Sequence, residues 1–358
     1  MGPKRLVVAC GGTGGHVFPG LAVARELKRR GHEVEVWLSG RDIESATLHG
    51  WDGAVFATGA RQLSLRALPA VARAFWTCLS GVKRFRPDAM LAMGSYSSLP
   101  PVLAAKLRQV PVVLHEANAV PGKAVEFLSR YAVTTAVSFE ETVRWLPGRA
   151  TRCTGLPVRA DLAGQPRFGE IPEGTFTVLV TGGSLGARRV NELAAQAMCL
   201  LKQSVEAPFF VIHQCGAADE ARVRETYAAA GVDSMVRAFI ADMGRAYASA
   251  DLVICRAGAS TCFELCLLGK AALLIPLPTA VRNHQHANAA ALVRSNGVDE
   301  GIQQELTGRS LMRYVKTKMD QPVLLERMSQ AIRALAVPDA AARVADVLEE
   351  AVASNSKR

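Results

Sequence analysis

Two glycine-rich turns in this chain have the make-up of phosphate sites. Gly11-Gly12-Thr13-Gly14-Gly15-His16 follows the apolar run Leu6-Val7-Val8-Ala9-Cys10, and Gly182-Gly183-Ser184-Leu185-Gly186-Ala187 follows Phe176-Thr177-Val178-Leu179-Val180. In each, a buried-type strand enters a turn without Cβ crowding and then a helical pattern. A helix start reached this way offers unpaired backbone N–H groups and the positive end of the helix dipole, both of which attract phosphate. Two such turns point to two α/β domains facing one central cleft and to a ligand carrying a diphosphate. A third segment, Arg256-Ala257-Gly258-Ala259-Ser260-Thr261-Cys262-Phe263-Glu264, follows Leu252-Val253-Ile254-Cys255. Its small residues let a ligand approach the backbone. In one reading Ser260 and Thr261 hold phosphate at a helix start and Glu264 accepts hydrogen bonds from a ribose diol. In the other, Thr261 and Glu264 form a capping box of the S/T-x-x-E type, a purely structural device.

The elements that must position these residues alternate along the chain. Strands are expected at 5–10, 33–38, 54–57, 89–92, 110–114 and 132–137, with helices at 16–30, 66–85, 98–107 and 121–130. Apolar runs that do not alternate in polarity suit a parallel sheet covered on both faces. Gly31 stops the first helix. Residues 154–174 hold Pro157, Pro166, Pro172 and four glycines and read as the interdomain linker. The second half repeats the scheme, with strands at 175–181, 208–213, 234–239, 251–255 and 271–275 and helices at 186–203, 218–231, 242–249, 260–268 and 284–296. Two more helices, near 321–336 and 339–353, are separated by Pro338. The fold class is therefore α/β, with a doubly wound parallel sheet in each half and ligands beyond the carboxyl ends of the strands.

Other phosphate-binding folds fail on spacing. A dinucleotide fingerprint beginning at Gly12 and Gly14 needs glycine at 17, which is Val17, and Ser39-Gly40 stand where the ribose-binding acid belongs, with Asp42 just beyond. Gly269-Lys270 is followed by Ala271, so there is no Walker A motif. An NAD oxidoreductase and a P-loop NTPase are thus disfavoured. At 358 residues and 49% apolar composition the chain is long enough for two domains and is not disordered. No apolar run approaches the roughly 18 residues of a membrane span. Beside Lys4 and Arg5 the apolar run is too short for a signal h-region, so a cytosolic protein is expected. Eight irregularly spaced cysteines fit reduced thiols. Cys262 and Cys266 share a helix face without further ligands nearby, so no metal site is expected. The net charge of +10 calls for an acidic partner. It is concentrated between Asp52 and Asp88, a stretch without acids that holds Arg61, Arg66, Arg73, Lys83, Arg84 and Arg86. No nucleic-acid module or stacking-aromatic motif accompanies it, which disfavours a nucleic-acid partner.

The blocks at 11–20 (Gly-Gly-Thr-Gly-Gly-His-Val-Phe-Pro-Gly), His115-Glu116-Ala117-Asn118, Gly182-Gly183-Ser184-Leu185-Gly186-Ala187 and Arg256-Ala257-Gly258-Ala259 with Glu264 occur in that order. Together they span most of the chain, and the chain resembles the MurG glycosyltransferases, the peptidoglycan family that makes lipid II. The resemblance implies a GT-B fold of two Rossmann-like domains. Residues 1–158 would form an acceptor and membrane-associated domain, 159–336 a UDP-GlcNAc domain, and 337–358 a helix packing back on the first. It implies transfer of N-acetylglucosamine from UDP-GlcNAc to the muramyl sugar of lipid I, with inversion, no metal and no cofactor. The place implied is the cytoplasmic face of the bacterial membrane, alongside other wall-building proteins. Carried over by residue, Thr13, Gly14 and Gly15 would face the donor sugar and the acceptor diphosphate, and Asn118 the donor sugar. Arg159 and Ser184 would hold the diphosphate, and Ile240 would meet uracil through its backbone. Ala259, Ser260, Thr261, Cys262, Phe263 and Glu264 would cradle phosphate and ribose, and Gln285 the sugar hydroxyls. The chain departs from the family pattern at Gly94-Ser95-Tyr96-Ser97-Ser98-Leu99-Pro100, where the family has Gly-Gly-Tyr-x-Ser-Gly-Pro. It departs again at Gly155-Leu156-Pro157-Val158-Arg159, where the family has Gly-Asn-Pro-Val-Arg, and at Arg282-Asn283, where an acidic pair precedes His-Gln.

Inverting transfer needs a base for the acceptor hydroxyl and stabilisation of the leaving diphosphate. His16 is the first candidate base, since an unperturbed imidazole titrates near neutrality; a structural or capping histidine is the alternative. Glu116 is the second, as base or as the group orienting His16. Helix dipole ends and Arg159 would neutralise the leaving group. Leu68, Val71, Phe75 and Leu79 recur at helical spacing, with Trp76 beside them and Arg73, Lys83, Arg84 and Arg86 around them. A core-facing stripe is one reading; a patch for an anionic membrane surface, where a polyprenyl-linked acceptor resides, is the other. Competing functions are another GT-B enzyme (a glycolipid synthase or a UDP-GlcNAc 2-epimerase) and a catalytically silent nucleotide-sugar sensor.

Overall fold

The computed structural model describes residues 2–12, 14–40, 48, 51–60 and 68–355, with Leu68 and Ala160 described by backbone alone. The chain divides into two units, Met1–Arg159 with Val337–Arg358, and Ala160–Ala336. In the first, β1 (Arg5–Ala9), β2 (Glu33–Leu38), β3 (Ala54–Ala57), β4 (Ala89–Ala92), β5 (Val112–Glu116), β6 (Thr134–Val137) and β7 (Thr151–Cys153) form a seven-stranded sheet in the order β3-β2-β1-β4-β5-β6-β7. Every pairing is parallel. Successive side chains of a strand point to opposite faces, and both faces are covered. Leu6 and Val8 pack with Val17 and Leu21 of α1 (Gly14–Arg29) and with Val344 and Leu348 of α12 (Ala340–Asn355). Val7 and Ala9 pack with Cys78 and Val82 of α2 (Leu68–Phe85), Val102 of α3 (Leu99–Leu107) and Val125 of α4 (Lys123–Leu128). Arg30 Nη1 clamps α12 through Asp346 at 2.7 Å and Glu349 at 2.9 Å.

The second unit holds β8 (Phe176–Thr181), β9 (Phe209–Gln214), β10 (Ser234–Arg237), β11 (Leu252–Cys255), β12 (Ala272–Leu274) and β13 (Val298–Glu300). They form a six-stranded parallel sheet in the order β10-β9-β8-β11-β12-β13. Its helices are α5 (Arg188–Ser204), α6 (Glu220–Ala229), α7 (Met243–Ser249), α8 (Ala259–Leu268), α9 (His284–Val293), α10 (Gly308–Asp320) and α11 (Pro322–Arg333). Both sheets are doubly wound, and each reverses direction once, between β1 and β4 in the first unit and between β8 and β11 in the second. Such reversals open a crevice beyond the carboxyl ends of the strands, where ligands of these sheets bind. Among the described residues no helix is long and apolar enough to cross a membrane.

Three elements lack the sequence signal used above. β7 (Thr-Arg-Cys) and β13 (Val-Asp-Glu) are short edge strands with no apolar run. α10 opens on a glycine, and its capping box uses Ser310 in place of an acid: Thr307 Oγ1 accepts from Ser310 N at 3.1 Å while Ser310 Oγ accepts from Thr307 N at 2.9 Å.

Candidate active site

The reversal point of the first unit is flanked by the turn after β1 and the loop after β4. Gly11 lies so close to β2 that a Cβ would come 2.5 Å from Ser39 N, and Gly12 sits at φ +132°. Ser95 Oγ donates to the Gly11 carbonyl at 2.7 Å and accepts from Ser97 N at 3.2 Å, and Ser97 Oγ also donates to Gly11 O. Ser95, where the family pattern has glycine, therefore ties the two loops together. α1 starts at Gly14, with Gly15 exposed and His16 half-buried. Thr13 lies outside the described residues. Burial pushes the His16 imidazole down to about 4, so it is neutral at physiological pH.

His115 and Glu116 end β5. His115 is fully buried; its Nε2 faces the Gly155 carbonyl at 3.3 Å. A carbonyl only accepts, so Nε2 carries the proton and Nδ1 is a bare acceptor, without a partner among the described residues. Burial, and then the neighbouring His16, hold this imidazole down to about 4. Glu116 is buried as well. Its Oε1 accepts from Asn118 N at 2.9 Å and Asn118 Nδ2 at 3.2 Å, and its Oε2 from Gly122 N at 2.9 Å. Desolvation raises its pKa against those N–H groups. The carboxylate thus shapes residues 117–122 and presents Asn118. Arg159 lays its guanidinium over the Phe18 ring of α1, 4.9 Å from the centroid.

In the second unit, the turn after β8 and the start of α8 after β11 flank the reversal point. Gly182 and Gly186 admit no side chain: a Cβ would lie 2.4 Å from Ala187 N in one case and 2.0 Å from the Cys215 carbonyl in the other. Ser184 and Leu185 stand exposed at the tip. Beneath the turn, Asn191 Nδ2 donates to Cys215 O and Asp219 Oδ2, each at 2.8 Å, and Asn191 Oδ1 faces His213 Nε2 at 3.1 Å. The N-cap residues of α5 and α8 are Ala187 and Gly258, which have no side-chain oxygen to spend on the first N–H groups. α8 begins at Ala259, so Thr261 and Glu264 lie inside it and form no capping box; that reading is overturned. Glu264 Oε2 instead accepts from the buried Tyr247 hydroxyl at 2.8 Å. Ala259, Cys262 and Phe263 are buried, while Ser260 and Thr261 are partly open. Arg256 turns inward and donates to Ile275 O, Pro276 O and Gln303 Oε1. Gln285 Oε1 accepts from Leu277 N at 2.9 Å, and Arg282 and Asn283 precede it in the left-handed region at φ +55° each.

Ser184, Ile240, the start of α8 and Gln285 thus all stand on segments that leave one edge of one sheet. Sequence reasoning missed Gln214, Tyr247 and Phe239. Gln214 is buried and bridges two of those segments; its signal was a polar residue closing an apolar strand directly before Cys215-Gly216. Phe239, 59% exposed beside Ile240, offers a flat apolar face at the same edge.

Along α2 the expected stripe is largely core. Cys78 and Val82 are buried, and Val71, Phe75 and Leu79 half-buried, whereas Trp76 is 65% exposed and packs edge-on to Phe75. The Leu68 side chain, Arg61 and Arg66 lie outside the description. Arg73, Lys83, Arg84 and Arg86 are exposed, but Arg84 pairs with buried Glu35 at 2.5 Å and covers Phe56. Leu107 at the end of α3 is 62% exposed, and Phe127 of α4 is 41% exposed beneath the Arg130 guanidinium.

Residues 6–137 match the glycosyltransferase family 28 N-terminal domain and residues 177–344 its C-terminal domain. A Cupriavidus necator protein named UDP-N-acetylglucosamine–N-acetylmuramyl-(pentapeptide) pyrophosphoryl-undecaprenol N-acetylglucosamine transferase is 40% identical over 361 residues, 98% of each chain. The Geobacter sp. protein of the same name is 39% identical, over 94% of this chain and 93% of that one. The crystal structure of Acinetobacter baumannii MurG superposes with a TM-score of 0.78 at 33% identity, covering 97% of this chain and 100% of that one. UDP-GlcNAc 2-epimerase from Neisseria meningitidis gives a TM-score of 0.72 at 13% identity, over 97% of this chain and 100% of that one, a likeness of fold.

Proposed function

This chain belongs to the MurG glycosyltransferases of family 28, with the GT-B fold, and on that premise we propose that it moves N-acetylglucosamine from UDP-GlcNAc to the muramyl sugar of lipid I. The reading is carried by the second unit's reversal point, where a glycine-rich turn and the start of α8, which has no side-chain N-cap, face the same crevice. The substrates come from the names of near-full-length relatives.

The second unit takes the donor. The turn at Ser184 and the N–H groups of Ala259, Ser260 and Thr261 hold the diphosphate; the Cys262 N–H is spent on Gly258 O, so Cys262 and Phe263 pack behind them as buried side chains. Ile240 meets the uracil, Glu264, oriented by Tyr247, the ribose, and Gln285 the sugar hydroxyls. Because Gln285 Oε1 is spent on Leu277, its Nε2 is the group that donates to sugar. The first unit takes the acceptor at Thr13, Gly14 and Gly15. The acceptor oxygen attacks the anomeric carbon, the bond to UDP breaks with its electron pair leaving on the diphosphate, and the proton passes to neutral His16. One displacement inverts the centre. Glu116, with both oxygens held by N–H groups, positions Asn118. Helix starts and Arg159 offset the charge on UDP without a metal. Trp76, Leu107 and Phe127, with Arg73 and Lys83, rest on the anionic cytoplasmic face of the membrane that carries the acceptor.

The test is radiolabelled transfer from UDP-GlcNAc to a lipid I analogue in excess chelator. Labelled disaccharide-lipid product is expected. Absence of product with and without added magnesium would refute the transferase reading, and product only with magnesium would refute the metal-free step.

A further inference from the structure

Gln214 closes β9 at the carboxyl edge, between β8, which runs into the glycine-rich turn, and β10, which runs into the segment of Phe239 and Ile240. Its side chain is buried, and its amide has one chemically permitted orientation. An N–H only donates, so Oε1 faces Ile240 N, at 2.8 Å. A carbonyl only accepts, so Nε2 faces Gly183 O, at 3.1 Å, with Thr181 Oγ1 at 3.2 Å. The turn needs this tie. Gly183 sits at φ +90° with open space where a Cβ would be, so packing does not fix it there. Within the turn Gly183 O accepts from Gly186 N at 3.0 Å, and what joins Gly183 to the sheet beneath is the hydrogen bond from Gly183 N to Thr181 Oγ1 at 3.1 Å and the Gln214 amide. β8 and β10 are not neighbours in the sheet, and this one side chain spans the gap between the loops that follow them.

We infer that Gln214 is a positioning residue for the nucleotide-sugar donor, holding the diphosphate turn and the base-contacting segment at the spacing of a nucleoside diphosphate. The inference rests on the donor reading proposed above. Gln214→Met keeps the length of the side chain and removes every donor and acceptor. Gln214→Glu is subtler. As a neutral acid it reproduces the pattern, the C=O accepting from Ile240 and the O–H donating to Gly183. As a carboxylate it still accepts from Ile240 but has nothing to donate, and two oxygens then oppose each other. Burial favours the neutral form at low pH.

The experiment measures UDP dissociation constants by calorimetry, donor KM and kcat by transfer, and melting temperature, for the intact wild-type, Q214M and Q214E proteins from acid to mildly alkaline pH. Q214M should raise the UDP dissociation constant and donor KM about 10-fold or more, as for its three hydrogen bonds lost, with kcat little changed. Q214E should lie near wild type at acid pH and approach Q214M as pH rises, a slope the wild type does not share. Wild-type-like UDP binding by Q214M, a Q214E profile parallel to wild type, or losses that follow melting temperature alone would each overturn the inference. A wild-type protein that binds UDP but transfers no sugar would sink the transferase reading, and Gln214 would still be judged by the UDP constants. A wild-type protein that does not bind UDP overturns both.

Discussion

His16 combines a position at the start of α1 with an imidazole held down to about 4 by burial. Such a base stands in its accepting form at neutral pH, while a pKa this far below neutrality weakens its pull on the acceptor proton. His16→Ala should lower kcat roughly 100- to 10,000-fold, the usual span of a lost general base, with UDP binding unchanged by calorimetry. In the wild type the acid limb of kcat/KM should fall near pH 4, not near 6.5; a limb at 6.5 would show that the imidazole is solvated. The glycine-histidine block was legible in sequence because it is contiguous. Glu116 was legible only as a residue type. The N–H groups of Asn118 and Gly122 that occupy its oxygens are aimed by a loop whose path no local pattern records. Gln214 escaped because its partners, Gly183 and Ile240, lie about 30 residues away on either side.

The two glycines of the second turn separate steric from conformational need. Gly186→Ala places a methyl 2.0 Å from a backbone oxygen at φ +76°, so the turn must move. A destabilisation of about 3 kcal/mol or more is expected in chemical denaturation, with loss of UDP binding. Gly183→Ala meets only the left-handed backbone and should cost about 1–2 kcal/mol. Equal costs for the two would refute the close approach of the turn to Cys215. The alternation of strand and helix was readable because most central strands are largely apolar, unbroken in Leu252–Cys255 and Ala89–Ala92 and only punctuated by polar residues in the others. It failed at the edge strands, where β7 and β13 contribute pairing with polar side chains, and at α10, whose core face of Leu311, Met312, Val315 and Met319 is interrupted by the buried Lys318. The proposed Thr261–Glu264 box failed for a related reason, since its pattern fits any helix interior equally well and the true start was set by Gly258.

For the molecule as a whole, two measurements bear on the reading. Flotation with vesicles should depend on anionic lipid. Trp76→Ala should weaken binding about 10-fold or more, from roughly 1.5–3 kcal/mol of lost burial, and neutralising Arg73 and Lys83 should cost about 1 kcal/mol each. Equal binding to neutral vesicles would refute the patch. Stability should fall in acid. His16 and His115 are held down to about 4 and His213 to about 3, against roughly 6.5 unfolded, so the unfolded chain binds protons first. Their contribution is whole above 6.5 and is lost as pH falls toward 4 and then 3. Glu116, raised by burial, runs the other way but is a single group. A melting temperature unchanged between pH 7 and 4 would contradict the lowered imidazole pKa values. The division of the first unit into Met1–Arg159 and Val337–Arg358 has a consequence during synthesis. Val344, Ala345, Leu348 and Val352 of α12 finish the same apolar layer as Leu6, Val8 and Leu91. On the ribosome, the domain that is begun second is therefore completed first. The earlier one emerges with an oily flank bare until the closing helix leaves the exit tunnel, and a premature stop codon late in the message cripples the half translated earliest.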